Sequence, residues 1–367
     1  MTLRPQALEL LRVELPLRTP FRTAHGTLRV RDALIVHLLT DGPDGWGECA
    51  APSTPGYSDE DAASAHLEVR DRLWPALVRG SGDDLVARLA HTGERPMARA
   101  ALEMALLDAE LRAAGQSLAV FLGGERRQVA CGVVVPMLET PEQVGSEVGR
   151  RLEEGYQRIK LKIAPGWDTG PLRAARAARP DAPLSADANG SYEPGDTAHL
   201  RELDVFGLVM LEQPLARNDL EGHARLAAAL ATPICLDESI DSPARAEEAL
   251  ALRACAIVNV KPSRMGGLLE ARQLHDLCAA ERIPAWCGGM HETAIGRAAL
   301  LALASLPGFT LPADISPAGR HYTTELAMPP AELVDGCIAV PQAPGLGVEV
   351  DPTALAGVTR VRELLRA

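Results

Sequence analysis

The chain has 367 residues, a formal net charge of −12 at neutral pH and 47% hydrophobic residues. This length suits one large domain with a smaller one, and the acidic balance argues against a nucleic-acid partner. No apolar run reaches the roughly 18–20 residues that a membrane-spanning helix needs, so we expect no membrane partner either. The seven cysteines are scattered without a CxxC motif, which predicts reduced, mostly buried thiols in a cytoplasmic protein.

The first 124 residues are expected to form an α+β domain. LELLRVEL and DALIVHLLT are typical of strands. The segment 16–29 between them contains two prolines and a glycine, which predict an irregular loop, and Tyr57 lies in a second loop. From Ala62 to about Ala114 the apolar spacing becomes helical. The clearest helix ends at Gly115, where a C-terminal cap is expected.

A charged residue closes each of five successive apolar runs in the middle of the chain. Lys162, Asp187, Glu212, Asp237 and Lys261 follow one another at steps of 25, 25, 25 and 24 residues. This period suits one strand, one helix and two short loops. If the runs are parallel strands of a closed barrel, these side chains meet at its C-terminal face, where such barrels carry their chemistry.

The repeat predicts an α/β fold, a modified (β/α)7β TIM barrel over residues 125–316. Its first strand would be VACGVVVPML and its eighth FTLPADIS. Residues 1–124 would form the capping domain, and residues 317–367 would pack back on that domain and complete it.

The three carboxylates Asp187, Glu212 and Asp237 predict a metal site. Three carboxylates in one pocket repel each other, and a divalent cation relieves that conflict. Oxygen ligands without histidine or cysteine favour Mg²⁺, with Mn²⁺ as the other candidate.

Three lysines are expected on the same rim. Lys160 and Lys162 alternate along one strand and point to one face, and Lys261 would face them across the barrel. We expect neighbouring ammonium groups and a metal to depress a lysine pKa, so that one lysine acts as a base. Lysine bases with a metal suit removal of the proton α to a carboxylate, through an enediolate.

At this point the chain resembles the enolase superfamily in its muconate-lactonizing subgroup, and the similarity covers nearly its whole length. The resemblance is carried by KLK at 160–162, DAN at 187–189, EQP at 212–214, DES at 237–239 and VKPSRMGG at 260–267. It implies Asp187, Glu212 and Asp237 as metal ligands. It further implies Lys162 as the base, Lys160 as the residue that holds the substrate carboxylate, and Lys261 as a cation or second base.

Within the subgroup, WCGGM at 286–290 and IGRA at 295–298 resemble the o-succinylbenzoate synthases and the N-acylamino acid racemases. A dipeptide epimerase is less favoured, because LPADIS offers Asp314 alone. The resemblance implies a small-molecule carboxylate substrate and a homo-oligomer. The substrate contacts expected from it are Asn189, Arg264, Gly289, Met290, His291 and Tyr57.

Departures from the family pattern cluster after GGM, where HETAIGRA replaces LESGIGRA, and at Val134, where a serine is common. His291 could donate a hydrogen bond to a substrate carboxylate or could simply begin a helix. These positions leave the identity of the substrate open.

Four readings of the function follow. The first is dehydration of 2-succinyl-6-hydroxy-2,4-cyclohexadiene-1-carboxylate to o-succinylbenzoate in menaquinone biosynthesis, and the second is racemisation of N-acylamino acids, alone or in addition. A Schiff-base lysine aldolase and a non-catalytic barrel are the alternatives from other classes.

Overall fold

The structure is a computed structural model that describes residues 3–53, 57–79, 85–89 and 92–367. An antiparallel sheet begins the chain, with strand order β16-β1-β2-β3. Its members are β1 (Pro5–Thr23), β2 (Gly26–Thr40), β3 (Gly45–Cys49) and, from the far end of the chain, β16 (Thr359–Arg366). The last strand runs antiparallel to β1, with Ala7 opposite Arg366.

The irregular loop expected over residues 16–29 was wrong. Strands β1 and β2 extend as one long hairpin through this segment, and the register shifts between Pro16 and Phe21. Prolines are tolerated there because they lie at the irregularity, where a missing N–H costs least. Gly26, with φ of +128°, begins the second strand after the turn.

Helices follow the sheet, in agreement with the predicted change of period. They are α1 (Ala62–Glu68), a π-helical turn (Val69–Leu73), α2 (Trp74–Arg79), α3 (Leu85–Leu89), α4 (Pro96–Ala114) and α5 (Leu118–Leu122). The long helix α4 ends at Gly115 in the left-handed conformation, as predicted. It packs on β3 so closely that a side chain at Gly45 or Gly47 would clash with the α4 backbone.

Seven parallel strands form the second sheet, with strand order β11-β10-β9-β8-β7-β6-β5. They are β5 (Gly132–Val135), β6 (Arg158–Lys162), β7 (Leu184–Asp187), β8 (Leu211–Glu212), β9 (Ile234–Leu236), β10 (Ile257–Val260) and β11 (Ala285–Cys287). The helices between and after them are α6 (Pro141–Glu153), α7 (Thr169–Ala178), α8 (Thr197–Glu202), α9 (Leu220–Ala229), α10 (Pro243–Ala251), α11 (Pro262–Met265), α12 (Leu268–Ala280) and α13 (Ala294–Ala304). The predicted (β/α)7β architecture is confirmed.

The eighth segment closes the barrel without forming a regular strand. It makes isolated parallel bridges, from Phe309 to Ala285 and from Ala313 to Cys131. Pro312 has no N–H to donate to a ladder, which explains why the pairing is interrupted. The expected first strand was wrong in one respect: β4 (Gln128–Ala130) leaves the barrel and pairs with β14 instead.

The C-terminal segment adds short strands and one helix before β16. They are β12 (Ala327–Met328), β13 (Leu333–Val334), β14 (Cys337–Ala339), β15 (Glu349–Val350) and α14 (Pro352–Val358). The division of the chain at 124/125 and 316/317 stays a prediction. Among the described residues, no helix combines the length and the apolar character needed to cross a bilayer. All seven cysteines are free thiols, and six of them are buried.

Candidate active site

The strand register brings the repeated charged residues together at the C-terminal end of the barrel. Lys162 lies opposite Asp187 in the β6–β7 pair, and Asp187 lies opposite Glu212 in the β7–β8 pair. Asp237 and Lys261 directly follow β9 and β10. Each of these side chains is at least nine-tenths buried, so the period of about 25 residues correctly predicted one shared rim.

Lys160 lies at the centre of a group of carboxylates. Its Nζ is 2.9 Å from Glu212 Oε2, 3.2 Å from Asp187 Oδ2 and 2.7 Å from Asp314 Oδ2. The same ammonium group lies 4.8 Å from the centre of the Trp286 ring. Lys160 is therefore held rigidly by acids from three different segments.

Lys162 lies one step further toward the open end of the barrel. Its Nζ donates to Asp187 Oδ2 at 2.6 Å and to Asn189 Oδ1 at 2.7 Å. The amide of Asn189 in turn donates to Glu238 Oε1 at 2.9 Å. The predicted contact residue Asn189 therefore orients Lys162, and it also lines the cavity described below.

Lys261 forms a second cationic group with Arg264 on the other side of the rim. Lys261 Nζ lies 2.8 Å from Asp237 Oδ2 and 3.1 Å from the Tyr57 hydroxyl. Arg264 also donates to Asp237 Oδ1, and its Nη1 donates to the Tyr57 hydroxyl at 2.6 Å. Tyr57 therefore connects the N-terminal domain to the site, and its contact with substrate stays a prediction.

The expectation that neighbouring ammonium groups depress each other's pKa is wrong for two of the lysines. Burial alone would lower the pKa of Lys160, but Asp314, Glu212 and Asp187 raise it well above its usual value. Burial likewise opposes ionisation of Lys261, yet Asp237 raises its pKa. The carboxylates outnumber the cations around Lys160, and their attraction exceeds both desolvation and the repulsion between cations.

The three strand-end acids do not respond alike to this environment. Burial raises the pKa of Glu212 to about 7, with the charge of Asp187 as the next cause. Burial also acts to raise the pKa of Asp187 and of Asp237, but Lys162 lowers the former and Lys261 lowers the latter. Burial and the neighbouring carboxylates therefore disfavour ionisation of Glu212 more than that of the other two acids.

These residues fit a divalent cation by their chemistry but not by their present arrangement. Within the described part of the chain, no group of three or more histidine, cysteine or acidic side chains is arranged to hold a metal ion. The ammonium of Lys160 lies between Asp187 and Glu212 instead. However, Glu238 Oε2 is buried without a hydrogen-bond partner, and a set of donors made only of oxygen atoms suits Mg²⁺.

A cavity of about 260 Å³ connects this rim to the N-terminal domain. All three lysines line it, together with Tyr57, Asn189, Gly289, Met290, His291 and Val134. Arg264 is not part of the lining and lies behind Tyr57. A larger cavity of about 970 Å³ shares Phe21 with it, but no lysine lines that cavity.

Gly289 and Met290 reach the cavity through a tight loop. A side chain at Gly289 would clash with the carbonyl oxygen of Asp314. The backbone N–H of Met290 donates to Glu292 Oε2 at 2.8 Å. The absence of a side chain at Gly289 therefore lets the loop approach the eighth segment.

His291 does not begin a helix, because α13 starts at Ala294 with Thr293 as its N-cap. Its ring lies 4.4 Å from that of Phe21 and 4.5 Å from that of His321, measured between centroids. Burial, followed by the charge of Arg31, lowers the pKa of His291 to about 3. The neutral ring has a buried Nδ1 without a partner, which agrees with a role in contacting the substrate.

Sequence reasoning missed three contributors to the site. Asp314 was named only as an argument against a dipeptide epimerase, yet it binds both Lys160 and Arg158. Asn259 donates to Glu212 Oε1 at 2.9 Å from inside β10. Glu238 lies beside Asp237, and burial raises its pKa to about 8. The DES motif could have indicated Glu238, whereas nothing in the local sequence distinguishes Asn259.

Comparison with known proteins agrees with this geometry. Residues 7–123 match the N-terminal domain of the mandelate racemase / muconate lactonizing enzyme family, and residues 143–354 match the enolase C-terminal domain-like family. An N-succinylamino acid racemase of Amycolatopsis sp is 49% identical over 96% of this chain and 97% of the relative.

Two further relatives extend the comparison. An o-succinylbenzoate synthase of Geobacillus kaustophilus is 40% identical over 96% of this chain and 95% of the relative. The solved structure of an enolase-superfamily member from Listeria innocua superposes with a TM-score of 0.93 at 35% identity and covers 99% of both chains. The chain therefore belongs to the enolase superfamily, in its mandelate racemase and muconate lactonizing enzyme family.

Proposed function

We propose that the protein removes the proton α to a carboxylate and forms an enediolate, and that its reaction is that of an o-succinylbenzoate synthase. The observation that carries this proposal is the placement of Lys162 and Lys261 in one cavity beside buried carboxylates. An enediolate needs a base on one side and positive charge around its oxygens, and these residues offer both.

Lys162 is proposed as the base. Its Nζ donates a hydrogen bond to Asn189 Oδ1, which orients the ammonium group, and it lies at the cavity surface. Lys160, which is fixed by three acids, is proposed to hold the substrate carboxylate. Lys261 is proposed to stabilise the enediolate as a cation, since Asp237 keeps it protonated.

Asp187, Glu212 and Asp237 are proposed to hold Mg²⁺, or Mn²⁺ in its place. When bound, this cation supplies positive charge beside the substrate carboxylate and so favours loss of the α proton. The placement of the three acids at the ends of neighbouring strands supports the assignment. Loading requires the ammonium of Lys160 to move from its place between Asp187 and Glu212.

Racemisation of N-acylamino acids is the second candidate, alone or alongside dehydration. Two observations favour it: the relative that is 49% identical is an N-succinylamino acid racemase, and Lys261 lies on the same cavity as Lys162. A racemase needs a base on each face of the α carbon. In this reaction Lys261 would act as the second base.

The test uses the purified protein with Mg²⁺. We expect it to convert 2-succinyl-6-hydroxy-2,4-cyclohexadiene-1-carboxylate to o-succinylbenzoate, which is followed by absorbance, and EDTA to stop the reaction. N-succinylamino acids in D₂O test the second candidate through incorporation of deuterium at the α carbon. Absence of both reactions in metal-loaded protein would refute the proposal, and borohydride trapping of a substrate would favour a Schiff-base aldolase.

The remaining assignments belong to the same proposal. We place the reaction in menaquinone biosynthesis and the protein in the cytoplasm, which the seven free thiols support. A homo-oligomer without a nucleic-acid partner is expected. Size-exclusion chromatography with light scattering tests the oligomer.

A further inference from the structure

Arg31 is a buried cation whose hydrogen-bonding capacity is mostly unused. It lies on β2, opposite Leu15 of β1, and is only 2% exposed. Its Nη1 donates to the carbonyl oxygen of Ala51 at 2.6 Å, but Nε and Nη2 are buried without a hydrogen-bond partner. Across the described ranges, which omit residues 1–2, 54–56, 80–84 and 90–91, no carboxylate forms an ion pair with it.

This arrangement is unfavourable unless something else binds the guanidinium. A buried donor without a partner loses its hydration and gains nothing in return. Other buried arginines of the chain have carboxylate partners, such as Arg158 with Asp314 and Arg297 with Glu325. Arg31 therefore differs from arginines that serve only the fold.

Arg31 lines the same cavity as the catalytic lysines, from the side of the N-terminal domain. Its charge reaches the cavity, because it is the second cause, after burial, of the lowered pKa of His291. The lysines and Arg31 give the lining four cationic side chains, and Asp314 is its one acid among the described residues. Asp314 is already bound to Lys160 and Arg158.

The geometry points to a second anion subsite in this cavity: we propose that Arg31 binds a carboxylate at the end of the substrate remote from the α carbon. A guanidinium presents two parallel N–H groups to a carboxylate, and Nε with Nη2 form such a pair. The inference rests on the proposed function and narrows it to dianionic substrates. A succinyl arm carries such a carboxylate, whereas an acetyl group does not.

The matched probes are N-succinylglycine and N-acetylglycine, whose binding to the Mg²⁺-loaded protein is measured by calorimetry. We expect wild-type protein to bind the succinyl compound at least 10-fold more tightly. Arg31→Met should remove this preference and weaken N-succinylglycine roughly 50-fold, because a charge-assisted pair is lost. Its affinity for N-acetylglycine should stay within about threefold.

Two variants separate recognition from a structural role. Arg31→Lys keeps the charge without the paired donors and should show an intermediate preference. Arg29→Met changes an exposed arginine two residues away on the same strand and should leave the preference unchanged. If Arg31→Met does not fold, which its thermal transition would reveal, the Arg31→Lys ratio decides the question.

The outcomes distinguish this inference from the proposed reaction. Equal losses for both probes in Arg31→Met, or no preference in wild-type protein, would overturn the subsite. If the protein catalyses neither dehydration nor deuterium exchange, but Arg31→Met selectively loses affinity for the succinyl probe, the subsite is supported and the proposed reaction is rejected. If the protein catalyses deuterium exchange, but Arg31→Met keeps the preference for N-succinylglycine over N-acetylglycine, the proposed reaction is supported and the subsite is rejected.

Discussion

Two groups of buried carboxylates, in different regions of the molecule, have different kinds of partner. At the seam between the N-terminal domain and the barrel, Glu48 accepts hydrogen bonds from the N–H groups of Thr293 and Gly296 at the start of α13. Glu103 on α4 accepts from the N–H groups of Leu268 and Leu269 at the start of α12. At the rim of the barrel, the acids are bound mainly by lysine and arginine side chains.

The difference separates a structural use of buried charge from a functional one. Backbone N–H groups at a helix start are fixed in place, and they stabilise an anion only while the two elements remain packed. An ammonium group at the end of a flexible side chain can be displaced by a metal or by substrate. The seam therefore fixes the relative position of the two regions, and the rim retains partners that can exchange.

The largest effect is expected at the rim. Lys162→Ala should lower turnover by at least about 10³-fold, because the proton acceptor is removed. The thermal transition and Mg²⁺ affinity should stay close to wild type. Turnover is followed with the substrate that proves active; residual activity within about tenfold of wild type would exclude Lys162 as the base.

Asp237→Asn should weaken Mg²⁺ binding and activity together, on the order of 100-fold. The change removes a negative ligand and leaves Lys261 and Arg264 without their shared carboxylate partner. Calorimetric titration of the apoprotein with Mg²⁺ measures the affinity. Unchanged Mg²⁺ affinity would place the metal elsewhere and separate the acids from metal binding.

At the seam, the expected effect is on stability and depends on pH. Burial raises the pKa of Glu103 to about 7, above the ordinary value of 4.5 that applies in the unfolded chain. Its contribution to stability is therefore complete below pH 4.5 and is lost as the pH rises through 7. Relative to Glu103→Gln, the wild-type protein should lose on the order of 2 kcal/mol of unfolding free energy over this interval.

Urea unfolding of both proteins at pH 5 and pH 8 measures this difference. Glu103→Gln should keep wild-type turnover, which is the contrast with the rim variants. A difference that stays constant with pH would show that the seam carboxylate is ionised throughout and is stabilised by the helix start alone.

The smallest effect is expected for an ion pair at the surface. His199 is 40% exposed and lies 2.7 Å from Asp168, whose hydrogen bond raises the pKa of His199. The stabilisation is fully present below pH 6.5 and is lost as the pH rises through the raised pKa. His199→Gln should cost roughly 0.5 kcal/mol at pH 5.5 and nothing at pH 9, by urea unfolding. A pH-independent loss would assign the effect to packing.

The sequence predicted the residues at the rim better than those at the seam. The rim residues follow a local repeat, whereas the seam contacts join residues that are far apart in the chain. Lys162, Asp187 and Glu212 recur with the period of the fold, so a local pattern carries their positions. Asp314 lies in the eighth segment and does not follow the spacing of about 25 residues that relates the other charged residues of the rim. Its contact with Lys160 depends on closure of the barrel and cannot be predicted from spacing.

Glu48 and Arg31 show the same limit from the other domain. Glu48 lies in GWGEC, a motif that resembles the family, but its partner Thr293 is distant in the chain. Arg31 lies between Arg29 and Asp32 on β2, and nothing in the local sequence distinguishes it from these charged neighbours. The hairpin over residues 16–29 was missed because prolines suggest a loop unless the register irregularity that accommodates them is known.

The pairing of β1 with β16 has a consequence for biogenesis. When β1 leaves the ribosome, its neighbour on that side has not yet been translated, and it follows only after the whole barrel. Until then β1 presents an uncovered edge, on which another nascent chain could pair. Ordering of this sheet must therefore wait until residues 359–366 have been translated, and removal of these residues should cause inclusion bodies even though the barrel itself is untouched.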